Sequence, residues 1–392
     1  MADKSLEAVF GTLRRYPDVE APNLQAWDAT DRLLLEAAAD QLQGGRELTV
    51  IGDRYGALTL GALAGLGVPR VRVHEDLITG ERALRNNAAA LGVEAATVAG
   101  GPGYEQLPMG AELLTGADVV LLQLPRTLAE LEEVTAAVAR YAAPDAVLFA
   151  GGRIKHMSLS MNAVLERHFQ SVQPQLSRQK SRIIVAGGAR GASPRNEGPG
   201  GDGPAVEHSA ALDLDVAAHG AVFAGTKLDI GTRFLLDFLA DMPAARHAID
   251  LGCGTGILAA MYARHNPGSR VTATDRSAAA VASALGTARA NGLEDRISVL
   301  QDDAMSTLPA GSADLILLNP PFHLGASVHA GAGIKLFEAA ARVLAPGGEL
   351  WTVFNRHLQY LPALERLVGP TKVKGASPKF TVAVSTRRSS PA

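Results

Sequence analysis

One local plan is written twice in this chain, and that repetition limits the folds open to it. Gly52 and Gly252, Gly56 and Gly256, Glu75 and Asp275, and Gly92 and Gly292 stand 200 positions apart (for instance 252 − 52). Later matches drift only slightly: Asp118 and Asp314 at 196, Pro144 and Pro346 at 202, Leu165-Glu166-Arg167 and Leu364-Glu365-Arg366 at 199. In the first copy an apolar run, Leu48–Ile51, meets a glycine turn, Gly52 to Gly56, which opens a helix-period stretch from Ala57 to Leu66. Apolar runs recur at Val71–His74, Asp118–Leu122, Ala146–Phe149 and Ile183–Val185 with helical stretches between them, which is the rhythm of a doubly wound α/β sheet. The spacing therefore predicts two tandem α/β domains, residues 1–185 and 205–392, from a duplication. Two helices, Ser5–Arg15 and Trp27–Leu42, are expected ahead of the first sheet. Residues 186–204 carry no large apolar side chain and are expected to form a flexible linker.

Composition agrees with two packed domains. A chain of 392 residues is too long for one ordinary core, and 47% hydrophobic against 20% charged residues leaves little room for disorder. The net charge of -3 means that a nucleic-acid partner must be held by local basic patches rather than by the overall field. The single cysteine, Cys253, excludes an internal disulfide and any Cys-rich zinc site, and suits a reducing cytoplasm. The start of the chain lacks an apolar signal core, and no run approaches the ~20 apolar residues that span a bilayer. A soluble cytoplasmic protein without a membrane partner is expected.

The second copy holds the chemistry. Ala248-Ile249-Asp250-Leu251 runs into Gly252-Cys253-Gly254-Thr255-Gly256, where alternate glycines allow a tight turn and close approach of a ligand to the backbone. Such a turn also suits a dinucleotide, but three acidic positions argue otherwise. Asp250 would repel two phosphates and suit a cationic amino-acid group. Asp275, ending the next strand, is placed for two ribose hydroxyls, and one carboxylate of Asp302 and Asp303, ending a third, for an adenine amine. An acid-lined pocket of this kind fits S-adenosylmethionine, with no metal required. After the apolar run Ala313–Leu318 comes Asn319-Pro320-Pro321-Phe322-His323. The Asn319 amide and the Pro320 carbonyl can accept both hydrogens of a planar exocyclic amine, Pro321 turns the chain, and Phe322 offers a face on which a base can stack.

The Asp250-Leu251-Gly252-Cys253-Gly254-Thr255-Gly256 turn, Asp275 and Asn319-Pro320-Pro321-Phe322-His323 resemble the class I S-adenosylmethionine-dependent methyltransferases that act on exocyclic amines. His219–Phe223 together with Leu228-Asp229-Ile230-Gly231-Thr232-Arg233-Phe234-Leu235-Leu236 is similar to the lead-in of the bacterial ribosomal RNA guanine-N2 methyltransferases. In the first half, Asn23–Ala29, Leu124-Pro125-Arg126-Thr127-Leu128, Lys155-His156 and Ser177-Arg178-Gln179-Lys180 resemble the large-subunit member of that family. The resemblance implies two Rossmann-like methyltransferase domains, an inactive one preceding an active one. It also implies a lead-in that covers the methyl donor, with Thr232 in the donor pocket, and a partner that is ribosomal RNA or a ribosomal subunit precursor.

The first copy departs where chemistry would need it most. Arg54 stands in place of Gly254, Val50 in place of Asp250, and Gln123-Leu124-Pro125-Arg126 in place of Asn319-Pro320-Pro321-Phe322. It is read as a degenerate domain kept for packing or RNA contact. RNA grip is expected from two basic stretches, Arg153, Lys155, Arg167, Arg178, Lys180 and Arg182 in the first half and Lys372, Lys374, Lys379, Arg387 and Arg388 in the second. Besides guanine-N2 methylation of large-subunit RNA, the residues leave open a small-subunit target, adenine-N6 or protein-glutamine methylation, and a non-catalytic RNA-binding assembly factor.

Overall fold

The structure is a computed structural model and describes residues 5–98, 100–191, 203–320 and 326–388, the side chains of 326–332 excepted. Two compact units divide the chain, residues 1–202 and 203–392. In the first, strands β1 (Leu48–Ile51), β2 (Arg70–His74), β3 (Gly103–Gln106), β4 (Val119–Gln123), β5 (Val147–Arg153), β6 (Phe169–Pro174) and β7 (Ser181–Ala189) form one sheet in the order β3-β2-β1-β4-β5-β7-β6. Strands β1 to β5 pair in parallel, and β7 runs antiparallel between β5 and β6. Each face of this sheet carries its own core, around Leu34, Leu58 and Val71 on one and Leu122, Leu131 and Leu165 on the other. That is why these strands read as continuous apolar runs.

The second unit opens with a hairpin, β8 (Ala205–Ser209) and β9 (Leu214–Ala218). It then repeats the first sheet: β10 (His247–Leu251), β11 (Arg270–Asp275), β12 (Ile297–Gln301), β13 (Ala313–Leu318), β14 (Leu344–Asn355), β15 (Thr371–Ala376) and β16 (Phe380–Thr386), in the order β12-β11-β10-β13-β14-β16-β15. The two orders are the same strand for strand, so the duplication read from the glycine and acid spacings extends to topology. A short lead helix takes the corresponding place in each unit. Ala29–Ala38 packs on β5 and β7, and Ile230–Leu236 packs on β14 and β16.

Differences from expectation fall at edges and at glycines. β3 and β6 escaped detection because edge strands need only one paired side and tolerate polar sequence, as in Gly-Tyr-Glu-Gln and Phe-Gln-Ser-Val-Gln-Pro. β7 continues through Ala189 with Ala186 fully buried, so residues 186–189 belong to the sheet and not to a linker. Small residues there are paired along the strand with β5 and β6. Residues 192–202 of the expected linker lie outside the described residues. The helix expected over Ala57–Leu66 is α-helical only to Leu60 and widens to a π-turn over Gly61–Gly65. There the first unit's amino-terminal helices press so near that a Cβ on Gly61 would lie 2.5 Å from Leu35 Cδ1, and one on Gly65 2.7 Å from Leu6 Cδ2.

Candidate active site

The functional side chains expected in the second unit follow the carboxyl ends of four adjacent strands, β12, β11, β10 and β13. Register brings them level: Leu251 lies opposite Thr274 on one side and Leu318 on the other, so Gly252, Asp275 and Asn319 follow at one height. Crevices beyond the carboxyl ends of a doubly wound sheet, where the strand order reverses, are where such folds bind ligands.

The three glycines of the turn divide their work. Gly252, Gly254 and Gly256 all have left-handed backbone, with φ of 73°, 53° and 76°. A Cβ added to Gly252 would meet nothing within 4 Å, and one on Gly254 only Val222 Cγ1 at 3.9 Å. These two therefore border open space beside the lead-in. Gly256 instead abuts the next helix, where a Cβ would meet Ala284 Cα and Cβ at 3.0 Å, so its part is packing. The lead-in is held by the same helix: the backbone N–H groups of Asp215, Ala217 and His219 donate to Asn291 Oδ1, Thr287 Oγ1 and Ser283 Oγ.

Asp275 ties the turn to β11. Its Oδ2 accepts from Gly254 N at 3.1 Å and its Oδ1 from Ser277 N at 3.0 Å. The Asp275 side chain is half-exposed beside the turn. Asp250 plays a different part from the one expected. It is 1% exposed, and its Oδ2 accepts from Ala259 N at 2.9 Å in the first turns of the helix Ile257–His265. Burial, with Asp275 nearby, pushes its carboxyl up to about 7. Its carboxylate caps the helix from within the core.

Asp302 also turns inward. Its oxygens accept from Asp303 N, Ser306 Oγ, and both the backbone N–H and hydroxyl of Thr307, closing a tight turn in which Ala304 and Met305 are left-handed. Burial alone would raise its carboxyl, but the hydrogen bonds from Ser306 and Thr307 outweigh this and hold it below the usual range. Asp303 pairs with Lys335 Nζ at 2.5 Å. Asp302 is thus taken up by its own turn, whereas the Lys335 contact engages one oxygen of Asp303.

Asn319 is the least expected in its detail. Its Nδ2 donates to Asp229 Oδ2 at 3.0 Å and to Thr232 Oγ1 at 2.9 Å, which engages both amide hydrogens. Asp229 is the N-cap of the lead helix, where the same Oδ2 accepts from Thr232 N at 3.0 Å. A carboxylate only accepts, so the amide nitrogen must face it and the oxygen must face away. That Oδ1 is buried and has no partner among the described residues. Pro320, which follows, is buried. Pro321, Phe322 and His323 lie outside the described residues.

A family model described as "Methyltransferase small domain" matches residues 213–384, and one described as "RLMG N-terminal domain" matches residues 1–190. A protein named ribosomal RNA large subunit methyltransferase G from Streptomyces avermitilis is 34% identical over 387 residues, covering 94% of this chain and 95% of its own. One of the same name from Pseudomonas paraeruginosa is 35% identical over 373 residues, covering 94% and 96%. The chain belongs to the ribosomal RNA large subunit methyltransferase G family. The fold is shared further afield, with a T. thermophilus 16S rRNA N2 methyltransferase solved in complex with AdoMet and guanosine. That likeness has a TM-score of 0.70 at 20% identity, over 94% of this chain and 97% of the other.

Against this family membership, sequence reasoning missed Asp229 and Gly231. Asp229 was an unremarked member of the lead-in, although an acid three residues ahead of Thr232 is an N-cap signal. A Cβ at Gly231 would meet Asp229 Oδ2 at 3.0 Å and Asn319 Oδ1 at 3.1 Å, so only glycine leaves the amide oxygen clear. Thr232, expected in the donor pocket, reaches the site through Asn319. The basic stretch of this methyltransferase's first half is also less free than its sequence implied. Arg153 pairs with Asp28 at 4.0 Å, Arg167 with Glu132, and Arg178 with Glu36 at 3.2 Å. The charges that oppose them come from elements distant in sequence. In the second half Lys372, Lys374 and Lys379 are exposed and form no ion pair among the described residues; the Lys374 ammonium lies 5.1 Å from the Trp351 ring centre.

Proposed function

We propose that this chain transfers a methyl group from S-adenosylmethionine to the exocyclic N2 of a guanine in large-subunit ribosomal RNA, as free RNA or within a subunit precursor. The second unit fits the donor. Open space borders Gly252 and Gly254, Asp275 is half-exposed beside them to take ribose hydroxyls, and the side-chain atom of Asn319 without a partner among the described residues is an acceptor. When bound, the donor supplies an electrophilic methyl group.

The observation that carries the reading is the buried, unpartnered Oδ1 of Asn319 at the end of β13. An aromatic amine is a poor nucleophile because its lone pair is delocalised into the ring. Hydrogen bonds donated by that amine to Asn319 Oδ1 and the Pro320 carbonyl favour a pyramidal nitrogen with the lone pair directed at the methyl. Alignment and polarisation then carry the rate, and water takes the proton after transfer. Phe322, assigned from the sequence, stacks on a base drawn out of its helix, a contact worth ~1–3 kcal/mol. The exposed lysines Lys372, Lys374 and Lys379 neutralise RNA phosphates, so affinity should fall steeply with salt.

The test offers purified protein and radiolabelled donor to large-subunit RNA, small-subunit RNA, DNA and protein in parallel, and digests the labelled product to nucleosides. N2-methylguanosine from large-subunit RNA is the expected product. Label on adenine, on a glutamine side chain, or nowhere would replace this reading with one of the alternatives.

A further inference from the structure

We infer that Asp229 and Gly231 form a positioning device for Asn319: the carboxylate fixes which end of the amide faces the substrate amine, and the glycine keeps that end uncovered. The inference rests on the reading of Asn319 as the acceptor of the reacting amine. An unrestrained amide can rotate about its last bond and present its N–H₂ to the substrate, where it would compete with the amine as a donor. The Asp229 Oδ2 contact at 3.0 Å prevents this, because rotation would set the amide oxygen against a carboxylate oxygen. Thr232 Oγ1 takes the second hydrogen at 2.9 Å, so the nitrogen has no remaining donor to misdirect. Donation to a charged acceptor also draws electron density toward Oδ1, which strengthens it as an acceptor. The first half of the chain holds its amide by a different acid: counted from the N-caps Asp28 and Asp229, Asp31 stands where Thr232 does, not where Asp229 does. Gln123, level with Gly52 as Asn319 is with Gly252, donates from Nε2 to Asp31 Oδ1 at 2.5 Å, but the position matching Gly231 is Thr30, whose hydroxyl bonds Ser181 Oγ at 2.9 Å.

The experiment is single-turnover methyl transfer with the full chain, at saturating donor and RNA, with donor affinity measured by calorimetry. Asp229→Ser keeps a good helix cap but is too short to reach the amide. It should slow transfer on the order of 10- to 100-fold while donor Kd stays within about twofold. Asp229→Asn can place one oxygen where Oδ2 accepts from both Thr232 N and Asn319, and should restore the rate to within about fivefold of wild type. Because Asp229 acts through Asn319, adding Asp229→Ser to Asn319→Ala should slow the reaction by less than about twofold beyond the single variant. Should Asp229→Ser fail to fold, Gly231→Ala supplies a second test, since its methyl would meet Asn319 Oδ1 at 3.1 Å; it would also meet the capping Asp229 Oδ2 at 3.0 Å, so thermal unfolding checks that the helix cap survives, and transfer should slow at unchanged donor affinity. A wild-type rate in Asp229→Ser or Gly231→Ala, multiplicative effects with Asn319→Ala, or a loss of donor affinity matching the loss of rate would each overturn the inference. If Asn319→Ala itself transfers methyl at the wild-type rate, it is the underlying reading of the site that fails.

Discussion

At the carboxyl end of β4 an amide, Gln123, donates to a carboxylate on the lead helix of the first unit; at the end of β13 an amide, Asn319, donates to a carboxylate on the lead helix of the second. The two halves share an amide tied to the lead helix, though by acids at different positions, and they share their strand order and a buried acid behind the glycine turn, yet differ in what they leave open. The second presents a bare amide oxygen, two glycines bordering empty space and a half-exposed Asp275. In the first, Arg54 replaces the middle glycine, its N–H turns back to the Gly52 carbonyl at 3.1 Å, and Glu75 is 6% exposed. A Cβ on Gly80 would meet Glu75 Cγ at 2.6 Å and the Arg54 carbonyl at 2.8 Å, so this corner is closed. What separates the halves is unfilled volume and an amide oxygen without a partner among the described residues, since the framework itself is common to both.

Transplanting the closure is the strongest way to break that comparison. Gly254→Arg puts a side chain at a φ of 53°, a left-handed conformation costing ~1–2 kcal/mol outside glycine, and fills the open space with a guanidinium. Calorimetry should find one donor site per wild-type chain and none in the variant. Binding that persisted at one equivalent would place the donor site in the first half and invert the comparison. Next in size is Asn319→Ala, which removes the acceptor and spares the glycine turn. Single-turnover transfer should fall on the order of 10²–10³-fold, the usual cost of losing one transition-state hydrogen bond, with donor affinity nearly unchanged.

Much of the framework was legible because its causes are local. Buried parallel strands must be apolar runs, and turns with left-handed backbone favour glycine, so β1, β4, β10, β13 and the turn from Gly252 to Gly256 could be read directly. The positions of Asp275 and Asn319 followed from where those runs end. Partners distant in sequence were not legible. Val50 looked like the loss of an acid, yet Asp53 supplies the same cap, accepting from Thr59 N at 2.7 Å as Asp250 accepts from Ala259 N. Asp302 looked like a ligand acid and is spent on its own turn, and the Arg167 and Arg178 charges are met by Glu132 and Glu36. Asp229 lies 90 residues from Asn319, and no spacing rule joins a helix cap to a strand end that far away.

The closed corner of the first half has its own signature in pH. Burial, with Asp76 and Asp53 adding to it, pushes the Glu75 carboxyl from 4.5 up to about 8. A carboxyl that ionises less readily when folded holds more protons in the folded chain than in the unfolded one. Its burial therefore costs nothing below the ordinary carboxyl range, and the cost grows as pH rises through about 8. Glu75→Gln keeps the shape and cannot ionise, so its stability relative to wild type should rise by a few kcal/mol between pH 5 and 9. The chain has two tryptophans, Trp27 in the first half and Trp351 in the second, so urea unfolding followed at Trp27 in a Trp351→Phe background isolates the relevant unit. Parallel pH profiles for Glu75→Gln and its parent would show that the corner is open to water.

The smallest expected effect is the counterpart of the largest chemical one. Gln123→Ala deletes the amide that stands where Asn319 stands, on a framework that matches strand for strand. Asp31 would lose its side-chain donor, though it would still accept from Asp28 N at 2.7 Å. Because burial already pushes Asp31 up to about 7, the lost hydrogen bond should lower stability by about 1–3 kcal/mol. Methyl transfer is another matter. If the first half is kept for packing or for holding RNA, single-turnover transfer at saturating donor and RNA should stay within about twofold of wild type, against the 10²–10³-fold loss in Asn319→Ala. Thermal unfolding of both variants controls for folding at the assay temperature. A comparable loss of rate in folded Gln123→Ala would mean that the first amide also meets the reacting base, and the division of labour between the halves would have to be redrawn.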